Sequence, residues 1–161
     1  MSEWVGEEVQ ACYNFLSLYN NLGVCEPHMD APQAKWTLDY CIRQSEPWPI
    51  SFSQIIDWPS PWEGSFEHWS QKILDDAACR FTDHTLQERE ALVFSGSSQW
   101  HYRNRISRSK DENFCHLVFF HFIPKGQRLL VDPGNWAEIF SLPALAEICK
   151  PMSGSMLPDP V

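Results

Sequence analysis

Alternating apolar and polar positions, punctuated by turn residues, organise most of this chain. Residues 13–20, Tyr-Asn-Phe-Leu-Ser-Leu-Tyr-Asn, alternate and predict a strand. Asn20-Asn21-Leu22-Gly23 supplies a turn after it. Residues 35–43 predict a second strand, with Trp36, Leu38, Tyr40 and Ile42 on one face and Thr37, Asp39, Cys41 and Arg43 on the other. Beyond Glu46-Pro47-Trp48-Pro49, residues 50–56 predict a third. Strands are predicted again at 91–95, at 99–106 after a Gly96-Ser97-Ser98 turn, and at 114–123, the most hydrophobic of the set. A different period occurs at Phe66, Trp69, Ile73 and Ala77, which predicts a helix over 66–79 capped by Ser65. After Pro124-Lys125-Gly126 the pattern becomes irregular and then helical, with Asn135 and Ser141 as caps and Pro143 as a breaker. From Pro151 periodicity ceases and a loose tail is expected. Many short strands between Gly and Pro turns predict a mainly β sandwich or barrel. One domain is expected over residues 1–150, with 151–161 as tail.

Composition agrees and removes some functions. The chain has 161 residues, 43% hydrophobic and 14% aromatic, enough for a real core and against wholesale disorder. A net charge of -9 argues against nucleic acid as a partner. No apolar stretch reaches membrane-spanning length, and Met1-Ser2-Glu3-Trp4 lacks the basic start of a secretory signal, so a soluble, cytoplasmic protein is expected. Six scattered cysteines form no Cys-x-x-Cys and read as reduced thiols. The 8 Trp suit core filling, or stacking on sugar faces. Arg103, Arg105, Arg108 and Lys110 cluster locally, as a solvated loop or as a positive rim that draws in a dicarboxylate.

The chemistry lies in His28-Met29-Asp30. Pro27 and Pro32 bracket the pair and favour extended backbone, on which His28 and Asp30 point the same way. His101 follows 71 residues after Asp30. Two imidazoles and one carboxylate bind one face of an iron ion and leave cis positions open, the ligand set of non-haem Fe(II) oxygenases. His121, in an aromatic strand, reads as packing; His68 and His84 read as surface residues. Trp36 and Tyr40 either line a pocket or pack the sheet.

Three blocks in order resemble the 2-oxoglutarate and Fe(II)-dependent oxygenases, on the prolyl-hydroxylase-like side of that superfamily. Leu18-Tyr19 through His28-Met29-Asp30 looks like the first core strand and its His-x-Asp. Ala91-Leu92-Val93-Phe94-Ser95-Gly96 with Trp100-His101-Tyr102-Arg103 looks like the strand, turn and distal histidine. His116-Leu117-Val118-Phe119-Phe120-His121-Phe122 looks like the closing strand. The resemblance covers roughly residues 12–124. It implies a double-stranded β-helix, a distorted jelly roll with an inserted helix and a short helical C-terminal extension. It also implies Fe(II) on His28, Asp30 and His101, and 2-oxoglutarate as cosubstrate. The implied activity is a dioxygenase that hydroxylates or otherwise oxidises an unactivated C–H bond of a peptidyl or small-molecule substrate, releasing succinate and carbon dioxide.

The chain departs from the family twice. The family's closing strand starts with an Arg or Lys that binds the distal carboxylate of 2-oxoglutarate, whereas here that place falls near Cys115 or His116. Arg105, Arg103, Arg108 and His116 are the candidates, Arg105 ahead of Arg103; on an unbroken strand 103 and 105 would share the face of 101. The family also carries helices ahead of its first strand. Here the protein would be a minimal version, or its C-terminal extension would buttress the sheet, or a second subunit would, as a homodimer. A metal enzyme with the same triad but no 2-oxoglutarate, and a non-catalytic binding or assembly module, remain alternatives.

Overall fold

The structure is a computed structural model in which residues 1–56, 69–106 and 112–127 are described, together with 137, 142–144 and 146. It divides into two compact units, Met1–Gly126 and Gln127–Val161. In the second unit Leu142 N–H donates to the Ala137 carbonyl and Ala146 N–H to that of Pro143. The expected tail lies outside the described residues.

The first unit is mainly β. Its strands are β1 (Val9–Tyr19), β2 (Cys25–His28), β3 (Trp36–Gln44), β4 (Ile50–Phe52), β5 (Thr82–His84), β6 (Ala91–Phe94), β7 (His101–Arg103) and β8 (Cys115–Pro124). They form two four-stranded antiparallel sheets, ordered β1-β8-β3-β6 and β2-β7-β4-β5. Among the described residues, helix α1 (Ser2–Val5), a 3-10 turn (Pro32–Ala34) and helix α2 (Trp69–Asp75) accompany them. The Ser65 cap and the first turn of the expected helix lie outside the described residues. Ile73 of α2 is buried.

Alternation sets which face turns inward, and β3 turns its polar face. Thr37, Asp39 and Cys41 are buried, while Trp36, Leu38 and Tyr40 are half-buried and Ile42 is exposed. Trp36 and Tyr40 therefore lie on the opposite face from Thr37; Trp36 Nε1 donates to Glu7 Oε1 at 2.6 Å. On β8 the inward residues include Cys115, Leu117, His121 and Ile123. Cys41, Trp48, Leu86, Ile106, Cys115 and Leu117 form the main apolar cluster; Ile50, Phe52 and Phe94 form a second. Among the described residues the cysteines are free thiols, and burial pushes that of Cys115 up to about 12.

Several element boundaries differ from expectation. Strand β1 starts at Val9 and carries a bulge between Ala11 and Asn14, an irregularity that breaks simple alternation. Strands β4 and β7 are three residues each, shorter than their apolar patterns. Strand β5, all exposed, has no pattern to read; its pairing to β4 and the 2.5 Å bond from Ser51 Oγ to Asp83 hold it. Among the described residues no helix is long and apolar enough to cross a membrane.

Candidate metal centre

Three elements bring His28, Asp30 and His101 together. His28 ends β2 and pairs in register with His101 at the start of β7. Their rings lie 4.2 Å apart, centroid to centroid. Asp30 follows β2, and its N–H donates to the Gly96 carbonyl at 2.9 Å. Asp30 Oδ1 lies 3.6 Å from His28 Nε2 and 3.6 Å from His101 Nε2. Among the described residues these are the ligand atoms that gather within 4.8 Å of one another. Cis donors around an ion with bonds of about 2.1 Å stand about 3 Å apart, so little movement separates this arrangement from a chelating one.

Hydrogen bonding turns the correct atoms inward. His28 Nδ1 faces the Glu26 carbonyl at 2.8 Å, and His101 Nδ1 faces the Gln99 carbonyl at 2.9 Å. A carbonyl only accepts, so each Nδ1 carries its proton and Nε2 is the nitrogen left for a metal. On Asp30, Oδ2 accepts from Thr37 Oγ1 at 3.0 Å, which leaves Oδ1 to the two imidazoles. Donor types, tautomers and orientation all fit a facial His-Asp-His site.

The surroundings fix this geometry. Phe94 meets the His101 ring edge-on at 4.9 Å. The turn before His101 is tied to β4, since Trp100 N–H donates to Ser53 Oγ at 2.9 Å and Gln99 Nε2 to the Ser53 carbonyl at 2.9 Å. Gly96 must lack a side chain. A Cβ there would fall 2.5 Å from the Ala34 carbonyl oxygen, 2.7 Å from Thr37 Oγ1, and against Asp30 Oδ2.

Electrostatics keep the site charged. Burial alone would push the His28 imidazole down, but its bonds to Asp30, Cys25 and the Glu26 carbonyl outweigh burial and raise it to about 10. Burial pushes the Asp30 carboxyl up, yet the two histidines hold it well below the usual carboxylate range.

The sequence candidates for a carboxylate partner separate. Arg103 enters the interior: its Nη2 meets Asp39 Oδ2 at 2.6 Å, its Nη1 donates to the Trp48 carbonyl, and its guanidinium lies 5.1 Å from the Trp48 ring centre. Arg105 does not share that face. Strand β7 ends at Arg103, so alternation stops there; Arg105 is exposed and donates to the Leu22 carbonyl at 3.0 Å. His116 sits between inward Cys115 and Leu117, on the opposite face of β8, with its ring 4.9 Å from Phe114. Arg108 and Lys110 lie outside the described residues.

Sequence reasoning missed Asp39, Thr37 and Gly96 as parts of the site. The signal available for the first two was their shared face on β3. His121 is buried as expected for packing, stacked on Tyr13 at 4.1 Å, but its Nδ1 has no partner. Burial pushes its imidazole down, against opposing pulls from Asp30 and the Tyr13 backbone.

No protein-family model matches the chain, and no curated protein matches it.

Proposed function

We propose that the protein is a mononuclear Fe(II) dioxygenase that takes a 2-oxo acid as cosubstrate, 2-oxoglutarate being the one used by the family its sequence resembles. The observation that carries this reading is the convergence of Asp30 Oδ1 with the two Nε2 atoms, both imidazoles being fixed through Nδ1. The strand order supports a double-stranded β-helix. First pairs with last, second with seventh, third with sixth and fourth with fifth, the nested pairing of a long hairpin rolled into two sheets.

Bound Fe(II) would supply the redox chemistry of dioxygen and of the C–H bond. The chain's own part is positional. His28, Asp30 and His101 would hold the ion, a ligand set that leaves coordination positions open. Thr37 holds the carboxylate in orientation, and Phe52 and Phe94 wall the distal histidine. His28, with 37% side-chain exposure, stands at the open side, while His101 at 5% lies deep. A peptidyl or small-molecule substrate would arrive from the His28 side.

Anaerobic titration with Fe(II) or Mn(II) should give one equivalent bound. Adding a 2-oxo acid to the Fe(II) form should produce a visible charge-transfer band, and air should then yield the decarboxylated acid. Failure to bind stoichiometric metal would end this reading and favour a non-catalytic module. The second reading, the same triad without 2-oxoglutarate, is favoured by one observation: the interior cation Arg103 already holds a carboxylate, that of Asp39.

The outer face of the first sheet supports pairing with a second copy, since Leu16 and Leu18 of β1 and Phe120 of β8 are exposed there. A monomeric mass in solution at micromolar concentration would exclude it.

A further inference from the structure

The ion pair beside the metal centre bears on which 2-oxo acid the interior accepts. On β7, Arg103 follows His101 by two residues and both are buried. On β3, Asp39 follows Thr37 by two residues, again on the buried face. The Arg103–Asp39 pair is thus one step along the same two strands from the Thr37–Asp30–His101 group. That step is about 6.7 Å, comparable with the reach of a five-carbon acid chelating at the triad. An acid extending inward from the metal would meet this pair with its far end.

The pair is incompletely satisfied: burial pushes the Asp39 carboxyl up, and the Arg103 guanidinium 2.6 Å away opposes this and favours the ionised form. A guanidinium is permanently charged, and Arg103 has spent that charge on Asp39 at 2.6 Å, with Asp39 fully buried and Arg103 at 3% exposure. A second carboxylate brought here would share one guanidinium with the first, away from water, at high electrostatic cost. Asp39 Oδ1, meanwhile, is a buried acceptor with no hydrogen-bond partner. Such a group costs free energy until a donor reaches it. The preferred far end therefore combines a donor for Asp39 Oδ1 with an acceptor for the remaining guanidinium N–H groups. A carboxamide has both, a hydroxyl has both, and an ionised carboxylate has only acceptors.

We infer that Asp39 is the specificity-determining residue of the interior, and that the Arg103–Asp39 pair selects a 2-oxo acid ending in an amide or hydroxyl over one ending in a second carboxylate. The inference rests on the metal and 2-oxo acid reading above and deepens it. It also accounts for the missing cation on the closing strand: a neutral far end has no need of one.

The test is calorimetric binding to the Mn(II)-loaded full chain, without oxygen or turnover. 2-Oxoglutarate is compared with 2-oxoglutaramate, its terminal amide. The wild-type chain should bind the amide tighter by about tenfold or more, the worth of one hydrogen bond to a charged group. Asp39→Asn, which keeps the shape but frees the guanidinium charge, should reverse the order by a similar factor. 2-Oxoglutarate binding to the wild type as tightly as the amide, or tighter, overturns the inference and leaves the metal reading intact. Metal uptake without binding of either acid overturns both. Because the wild-type comparison decides by itself, a poorly folding Asp39→Asn chain does not shelter the proposal.

Discussion

Two polar rungs link β3 to β7 one step apart, the first through Asp30 in the loop after β2, and they are built to opposite ends. In the first, Asp30 faces two imidazoles across 3.6 Å gaps, with Nε2 of each turned toward one carboxylate oxygen. In the second, Asp39 and Arg103 close to 2.6 Å. Both rungs bury a carboxylate. The first is held apart by outside supports: the Thr37 hydroxyl, the Glu26 and Gln99 carbonyls, and the space that Gly96 leaves. The second has collapsed onto its own partner. Burying charge costs several kcal/mol per ion unless it is paired; the open arrangement is the one that the proposed metal would complete, and the closed one is completed within the chain.

The largest way to break this contrast is to remove a member of the open rung. Asp30→Ala or His101→Ala should lose metal binding by more than the ~10–100-fold typical of outer-shell changes, while leaving the metal-free fold cooperative on thermal melting. If either variant keeps wild-type metal affinity, the open rung is not a metal site. Removing one member of the closed rung should act in the reverse sense. Arg103→Met or Asp39→Ala should cost about 3–5 kcal/mol of stability, read by denaturant unfolding. Gly96→Ala probes the support between them. Forcing a Cβ against Asp30, Ala34 and Thr37 should cost about 1–3 kcal/mol and weaken metal binding as the carboxylate shifts.

Acidity sharpens the comparison further. In the metal-free protein the imidazole of His28 is raised to about 10, so a proton stands where the metal would. A raised imidazole contributes stability that is fully present below its unfolded value, about 6.5, and is lost as pH climbs toward 10. Metal-free stability should therefore fall across that window. Metal affinity should rise across it, because binding must displace the proton. Proton release on Mn(II) binding, measured in two buffers of different ionisation enthalpy, checks the sign. The smallest effects belong to residues outside both rungs. His116→Ala and Arg105→Ala should each change stability by less than about 0.5 kcal/mol and leave binding of 2-oxo acids to the Mn(II) form unaltered.

Local pattern made much of this architecture legible. Period-two alternation located β1 and β3, and apolar runs located β6 and β8, near their observed positions. The His-x-Asp spacing and the distant histidine named three residues that the fold does bring together. Alternation failed where strands are too short to show it: β5, and β7, whose end at Arg103 turns Arg105 away from the face of His101. It also named the two faces of β3 without ranking them. Apolar Trp36, Leu38 and Tyr40 would ordinarily be placed inside, but Thr37, Asp39 and Cys41 are the buried set.

By itself the sequence determined the periodicities, the turns and the ligand types, because these depend on residues near one another along the chain. Only the tertiary structure decided what each polar group faces. Asp39 lies 64 residues from Arg103, and Thr37 is seven from Asp30. Whether a buried carboxylate meets a guanidinium or two imidazoles is set by register between strands distant in sequence, and each outcome must satisfy charges taken out of water. That requirement separated the open rung from the closed one.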